Sequence, residues 1–143
     1  MRALFFLVVF LVSFFSFSQK KYSKTLKNID DKKTLYSSIA QDIWTFAEMG
    51  YQEKKSSDLL KKILLEEDFS IESGVANIPT AFIASYGKGL PIIAILGEYD
   101  ALPGLSQQRV PYKISAGGKA GHACGHHLFG TASAAAAIEI KKY

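Results

Sequence analysis

The run Pro91-Ile92-Ile93-Ala94-Ile95-Leu96 constrains the fold more than any other stretch of this sequence. It is unbroken by a polar side chain and is bounded by Gly89 and Gly97. A strand with one wet face alternates, whereas a continuous apolar run reads as a strand buried on both faces of a sheet. Such a strand needs helices layered against it, and the surrounding sequence has to supply them.

From Ser23 to Met49 the sequence predicts one long helix. Leu26, Ile29, Tyr36, Ile39, Ile43, Phe46 and Ala47 recur at three- and four-residue steps, and Gly50 is a plausible stop. A second amphipathic helix is expected from about Ser56 to Asp68, capped by Ser56 or Ser57. Its stripe is Leu59, Leu60, Ile63 and Leu64. Both stripes read as ordinary core packing. The period then changes, with Phe69 to Glu72 and Thr80 to Tyr86 expected as extended segments. Gly97 to Lys119 reads as a long loop, a feature that is uncommon in compact domains and often functional. From about His127 an alanine-rich helix is expected, with side chains small enough to lie close to a sheet. The expected fold class is α/β, a mixed sheet layered with helices. About three strands make a sparse α/β domain, and the last helix stops abruptly at Tyr143. The chain is therefore expected to be cut short.

Composition narrows the class. With 48% hydrophobic and 21% charged residues over 143, the chain is typical of a globular domain and unlike a disordered, collagen-like or disulfide-stapled protein. Arg2 precedes an uncharged run, Ala3 to Phe17, that is shorter than the roughly 20 residues of a spanning helix. A basic start, an apolar run and then Ser16 and Ser18 read as a secretory signal peptide. Residues 1–18 are assigned to it and 19–143 to the domain, giving an exported protein, periplasmic or secreted. The alternative is an uncleaved membrane anchor. The net charge is +4, but the lysines alternate with acids over Lys20–Lys33 and Lys54–Lys62. They read as solvated helix faces, so no nucleic-acid partner is expected.

All three histidines and the single cysteine fall within His122-Ala123-Cys124-Gly125-His126-His127. Thiolate and imidazole are the donors preferred by zinc and similar divalent ions. Cys124 and His126 are two apart, so an extended loop would present both on one side. The alternative is a buried thiol beside helix-capping histidines. A second constellation, Gly97-Glu98-Tyr99-Asp100-Ala101-Leu102-Pro103, directly follows the apolar run. Sites in open α/β sheets gather beyond the carboxyl ends of strands. Glu98 and Asp100 could bind a metal, orient a ligating histidine or neutralise a cation there; the alternative is loop solvation.

GEYDALPGLSQ (Gly97 to Gln107) followed by GHACGHHLFGTA (Gly121 to Ala132) resembles the N-terminal part of the M20 peptidase family, in its metal-dependent amidohydrolase branch. WTFAEMGYQEKKSSDLL (Trp44 to Leu60) resembles the family's entrance, and the likeness runs from about Ile39 to the C-terminus. It implies that Cys124 and His126 are the first two ligands of a pair of divalent ions, zinc or manganese. Asp100 would orient a ligand or shape the catalytic site, with Glu98, His122 and His127 around it. His127 stands where relatives commonly carry Asn or Asp. The implied reaction is metal-assisted hydrolysis of the amide in a small N-acyl amino acid or dipeptide-like substrate, with a glutamate as general base. In the family that base, its neighbouring ligand and two later histidines lie beyond the position of Tyr143, so the likeness implies the N-terminal part of a larger, metallo-exopeptidase-like catalytic domain. Glu139 is the only acid after the metal motif, and its mid-helix place suits the role poorly. The chain alone is thus expected to be inactive, and the full-length form to be a homodimer. The competing expectation is a non-catalytic exported protein that binds metal or a partner.

Overall fold

A computed structural model describes residues 22–142. The leader assigned to residues 1–18 lies outside them. The chain divides into two units, Met1–Lys33 and Thr34–Tyr143. In the first, residues 22–31 form helix α1, with Leu26 and Ile29 exposed and an exposed Lys27–Asp31 ion pair of 2.6 Å one turn apart. The long helix expected over Ser23 to Met49 is instead interrupted before Lys33. The next helix, α2 (Lys33–Phe46), carries the buried residues Ile39, Ala40 and Ile43.

In the second unit, helix α3 (Lys54–Glu66) follows α2, then strands β1 (Ser70–Ser73) and β2 (Phe82–Ser85). Two short strands, β3 (Leu102–Pro103) and β4 (Ala120–Gly121), precede helix α4 (His126–Ile140). Strands β1 and β2 pair antiparallel, from Ser70 opposite Ser85 to Ser73 opposite Phe82. Strands β3 and β4 pair antiparallel through Leu102 with Gly121 and Pro103 with Ala120. The result is a mixture of helices and small antiparallel sheets, compatible with an α/β fragment.

The α2–α3 connection is set by Glu48. Helix α2 ends at Phe46, before Gly50, because Ala47 turns to a φ of +43°. The Glu48 carboxylate then accepts the Lys55 N–H at 3.0 Å and both the N–H and the hydroxyl of Ser56 at 2.9 Å. It satisfies donors in the first turn of α3 that have no partner within the helix. The expected serine cap is therefore replaced: Ser56 and Ser57 lie inside α3 and are fully buried. Ser57 donates instead to the Thr80 carbonyl at 2.7 Å, tying α3 to the chain before β2.

The core joins Ile39 and Ile43 of α2, Leu60, Ile63 and Leu64 of α3, Phe69, and Ala134 and Ile138 of α4. The run Pro91–Leu96 is not part of it. It has irregular backbone and pairs with no strand among the described residues. Ile92 is 80% exposed and Leu96 72%. An apolar run records what its side chains would gain by burial, and burial on two faces also needs neighbouring strands. The strands described here pair with one another elsewhere. The alanine-rich α4 packs on α3 and, at Gly130 and Ser133, against the irregular chain at 97–99.

Tyr36 is packed against this core with its hydroxyl buried and without a hydrogen-bond partner. Burial pushes its ionisation above the ordinary tyrosine range, and the charges of Glu139 and Glu67 push it further. Below about pH 10 both folded and unfolded chains keep the proton; above it the unfolded chain releases it first, so stability falls as pH rises. Tyr36→Phe removes the unpaired hydroxyl and is expected to raise stability by about 1 kcal/mol at neutral pH. Denaturant titration should show that advantage widening above pH 10.

Candidate metal centre

The site forms where the chain after the apolar run meets the start of α4. Residues 97–100 have irregular backbone, and Glu98 and Asp100 both reach the ring of His126. Several bonds fix this stretch. The Ala101 N–H donates to the Glu48 carbonyl at 2.7 Å, and Met49 and Ala101 form a parallel bridge. The Tyr99 hydroxyl donates to the Thr80 carbonyl at 2.5 Å, and the Ser133 hydroxyl of α4 donates to the Leu96 carbonyl at 2.6 Å. The Glu48 side chain caps α3 while its carbonyl holds the acidic segment, so one residue links helix and site.

Gly125 precedes α4 in the left-handed conformation, φ +87°, which favours glycine. Its N–H donates to the His122 carbonyl at 3.2 Å, and its own carbonyl accepts from Leu128 and Phe129. His126 is thereby the first helical residue. One turn later Gly130 faces the acidic segment, where an added Cβ would come within 2.8 Å of the Glu98 carbonyl oxygen. Only glycine permits this approach, and it brings the two acids and the histidine together.

His126 is bracketed by carboxylates. Its Nδ1 lies 2.7 Å from Asp100 Oδ1 and its Nε2 3.0 Å from Glu98 Oε2. Ligand atoms from Glu98, Asp100 and His126 all lie within 4.8 Å of one another. Two carboxylates and an imidazole at that separation suit one divalent cation. The donor set therefore fits a metal ion. An open cleft of about 490 Å³ borders the acids and is also lined by Tyr51, Glu53 and Thr80. Glu53, 7% exposed, accepts from the Thr80 hydroxyl at 2.7 Å and from the Tyr51 N–H at 2.9 Å.

The other residues singled out in the sequence lie around this group. Cys124 is exposed and stands outside the three-residue cluster. Residues 123 and 124 form a turn, so the same-side geometry of an extended loop does not apply to Cys124 and His126. His122 is 4% exposed and donates from Nε2 to the Ile43 carbonyl at 3.0 Å. Its ring lies 5.0 Å from that of His127, tilted by 52°. Burial lowers the proton affinity of both histidines below the ordinary range, and the neighbouring His122 lowers that of His127 further. Glu139 is buried on α4 and ion-paired with Lys142, which agrees with its poor fit to a base. Sequence reasoning misses the supporting roles of Glu48 and Gly130. The one signal available for the latter is a glycine four residues after His126 in an alanine-rich helix.

The chain is 47% identical over 118 residues to a p-aminobenzoyl-glutamate hydrolase subunit of Escherichia coli (strain K12), covering 80% of this chain and 24% of that protein. This likeness is consistent with the M20-family resemblance of the two motifs. The chain is also 27% identical over 128 residues to the Xaa-Arg dipeptidase of Mus musculus, covering 82% of this chain and 26% of that protein. Against the Xaa-Arg dipeptidase of Homo sapiens it is 28% identical over 126 residues, covering 79% and 26%. No family model matches the chain. The chain spans about a quarter of the length of these relatives. By their names these relatives are hydrolases of amide or dipeptide substrates.

The close approach at Gly130 gives a direct test. Gly130→Ala forces a Cβ into the Glu98 carbonyl and is expected to cost about 1–3 kcal/mol. Thermal unfolding should report the loss, and cobalt titration should show weaker binding because Glu98 moves away from His126.

Proposed function

We propose that this chain carries part of a metal-dependent hydrolase acting on the amide bond of small N-acyl amino acids or dipeptide-like substrates. The observation that carries the reading is the convergence of Glu98, Asp100 and His126 at the junction of the two motifs. The activities in the relatives' names support the substrate class: an aminobenzoyl-glutamate amide in one case and dipeptides in the others.

His126, Asp100 and Glu98 would hold a zinc or manganese ion; Cys124, the further ligand that the resemblance implies, lies in the turn just before His126. A divalent ion so held supplies Lewis acidity, acidifying a water and polarising a carbonyl. The chain's own residues do the rest of the positioning. Tyr99 and Ser133 fix the acidic segment through the Thr80 and Leu96 carbonyls. Gly130 sets the spacing between the segment and α4. The cleft bordered by Tyr51 and Thr80 offers room for a substrate beside the acids.

The Escherichia coli relative is by name one subunit of a hydrolase, which supports assembly with other chains and lends nothing to a homodimer. Export rests on the leader, and sequencing of the mature protein from its native host is expected to begin at Gln19.

Metal binding and turnover test the central reading together. Isothermal titration with Mn²⁺ or Zn²⁺ should show binding that falls at least about tenfold in both Asp100→Asn and His126→Ala. Hydrolysis of p-aminobenzoyl-glutamate or an Xaa-Arg dipeptide by the full-length protein should stop with chelator and return with metal. Chelator-insensitive hydrolysis would sink the proposal. Tight metal binding without any hydrolysis by the full-length protein would favour the non-catalytic alternative.

A further inference from the structure

His122 sits in the metal motif, yet it is absent from the three-residue group and buried beneath it. Its side chain reaches across the fold to the last turn of α2, where Nε2 lies 3.0 Å from the Ile43 carbonyl. A carbonyl oxygen only accepts, so Nε2 carries the proton and the neutral ring keeps a lone pair on Nδ1. That Nδ1 is buried and has no hydrogen-bond partner among the described residues. One end of the ring is therefore fixed and the other is left unpaired in the interior, an arrangement that costs free energy.

Two further contacts define what the bond does. The His122 carbonyl accepts the Gly125 N–H at 3.2 Å, so fixing His122 also fixes the turn that carries Cys124 and delivers His126 into α4. The Ile43 carbonyl already accepts the Ala47 N–H at 3.2 Å within its own chain segment. Loss of the His122 bond would leave Ile43 with a partner, so the bond adds little that α2 needs. What it adds is the register of the ligand turn on α2.

From these contacts we infer that His122 is a positioning residue: it fastens the Cys124–His126 turn to the carbonyl of Ile43 and so sets where His126 stands between Glu98 and Asp100. This rests on the metal reading of the three-residue group. It assigns the first histidine of the motif a role through the main chain, with no contact to the ion.

The nitrogen position makes the test specific. The Gln Nε2 is the same number of bonds from Cβ as the His Nε2, so His122→Gln keeps the donor. His122→Phe keeps the ring volume and removes the donor, and His122→Asn places its amide one bond short. Full-length chains of the wild type and the three variants would be titrated with Co²⁺, followed by its visible absorption. Thermal unfolding and hydrogen exchange over residues 122–126 would be measured without metal.

Wild-type binding is expected, with affinity lowered about 10- to 100-fold in the Phe and Asn variants and near wild type in the Gln variant. Exchange at Ala123 to Gly125 should quicken in Phe and Asn and not in Gln, while the melting temperature of Phe stays close to wild type. Equal affinity in Phe, Gln and wild type overturns the inference and leaves the metal reading standing. So does an equal loss in Phe and Gln, since the donor is then irrelevant. A wild-type chain that takes no cobalt overturns both.

Discussion

The site depends on how closely helix α4 approaches the chain between Leu96 and Asp100. That distance is set by a missing side chain at Gly130 and by the Ser133 hydroxyl on the Leu96 carbonyl. A helix start is rigid over its first turn, so once Gly130 is seated the position of His126 follows from helix geometry. The acids are held independently, through Glu48 and Thr80. Two separately anchored pieces thus meet at one histidine ring. Pre-placement of this kind lets a site bind an ion without the added cost of ordering its ligands.

The contacts made by His126 bring two carboxylates to one ring. Each ring nitrogen is within hydrogen-bonding distance of a carboxylate. A neutral imidazole has a single N–H, so at most one of the two carboxylates can accept it. The cleft beside them is open and its deeper acid, Glu53, is committed to Thr80 and Tyr51. Glu53 therefore shapes the wall and leaves the exchangeable chemistry to Glu98 and Asp100.

Much of this is legible in the residues. The stripe of α3, the extended pieces that form β1 and β2, and the start of α4 follow from periodicity and turn residues, each a local property. The pairing of Glu98 and Asp100 with His126 is legible as two motifs of complementary chemistry in order. The serine cap is not, because a carboxylate eight residues upstream competes for the same donors, and sequence shows the donors without ranking their partners. The place of Pro91–Leu96 escapes for a different reason. Hydrophobicity is carried by one segment, but a two-sided burial belongs to several, and the strands described here are paired with each other. For Cys124 the i, i+2 rule of extended chain misleads, since a turn at 123–124 does not obey it.

The bare run has a calorimetric consequence. The large heat-capacity increment of unfolding comes from apolar surface newly wetted when a fold opens. Leu90, Ile92, Ile93 and Leu96 are already 88%, 80%, 67% and 72% exposed in the folded chain. Melting wets them little further, so the stretch of sequence richest in aliphatic carbon contributes little to the curvature of the stability profile. Any partner that covers it would restore that contribution, and the heat capacity of binding would measure how much.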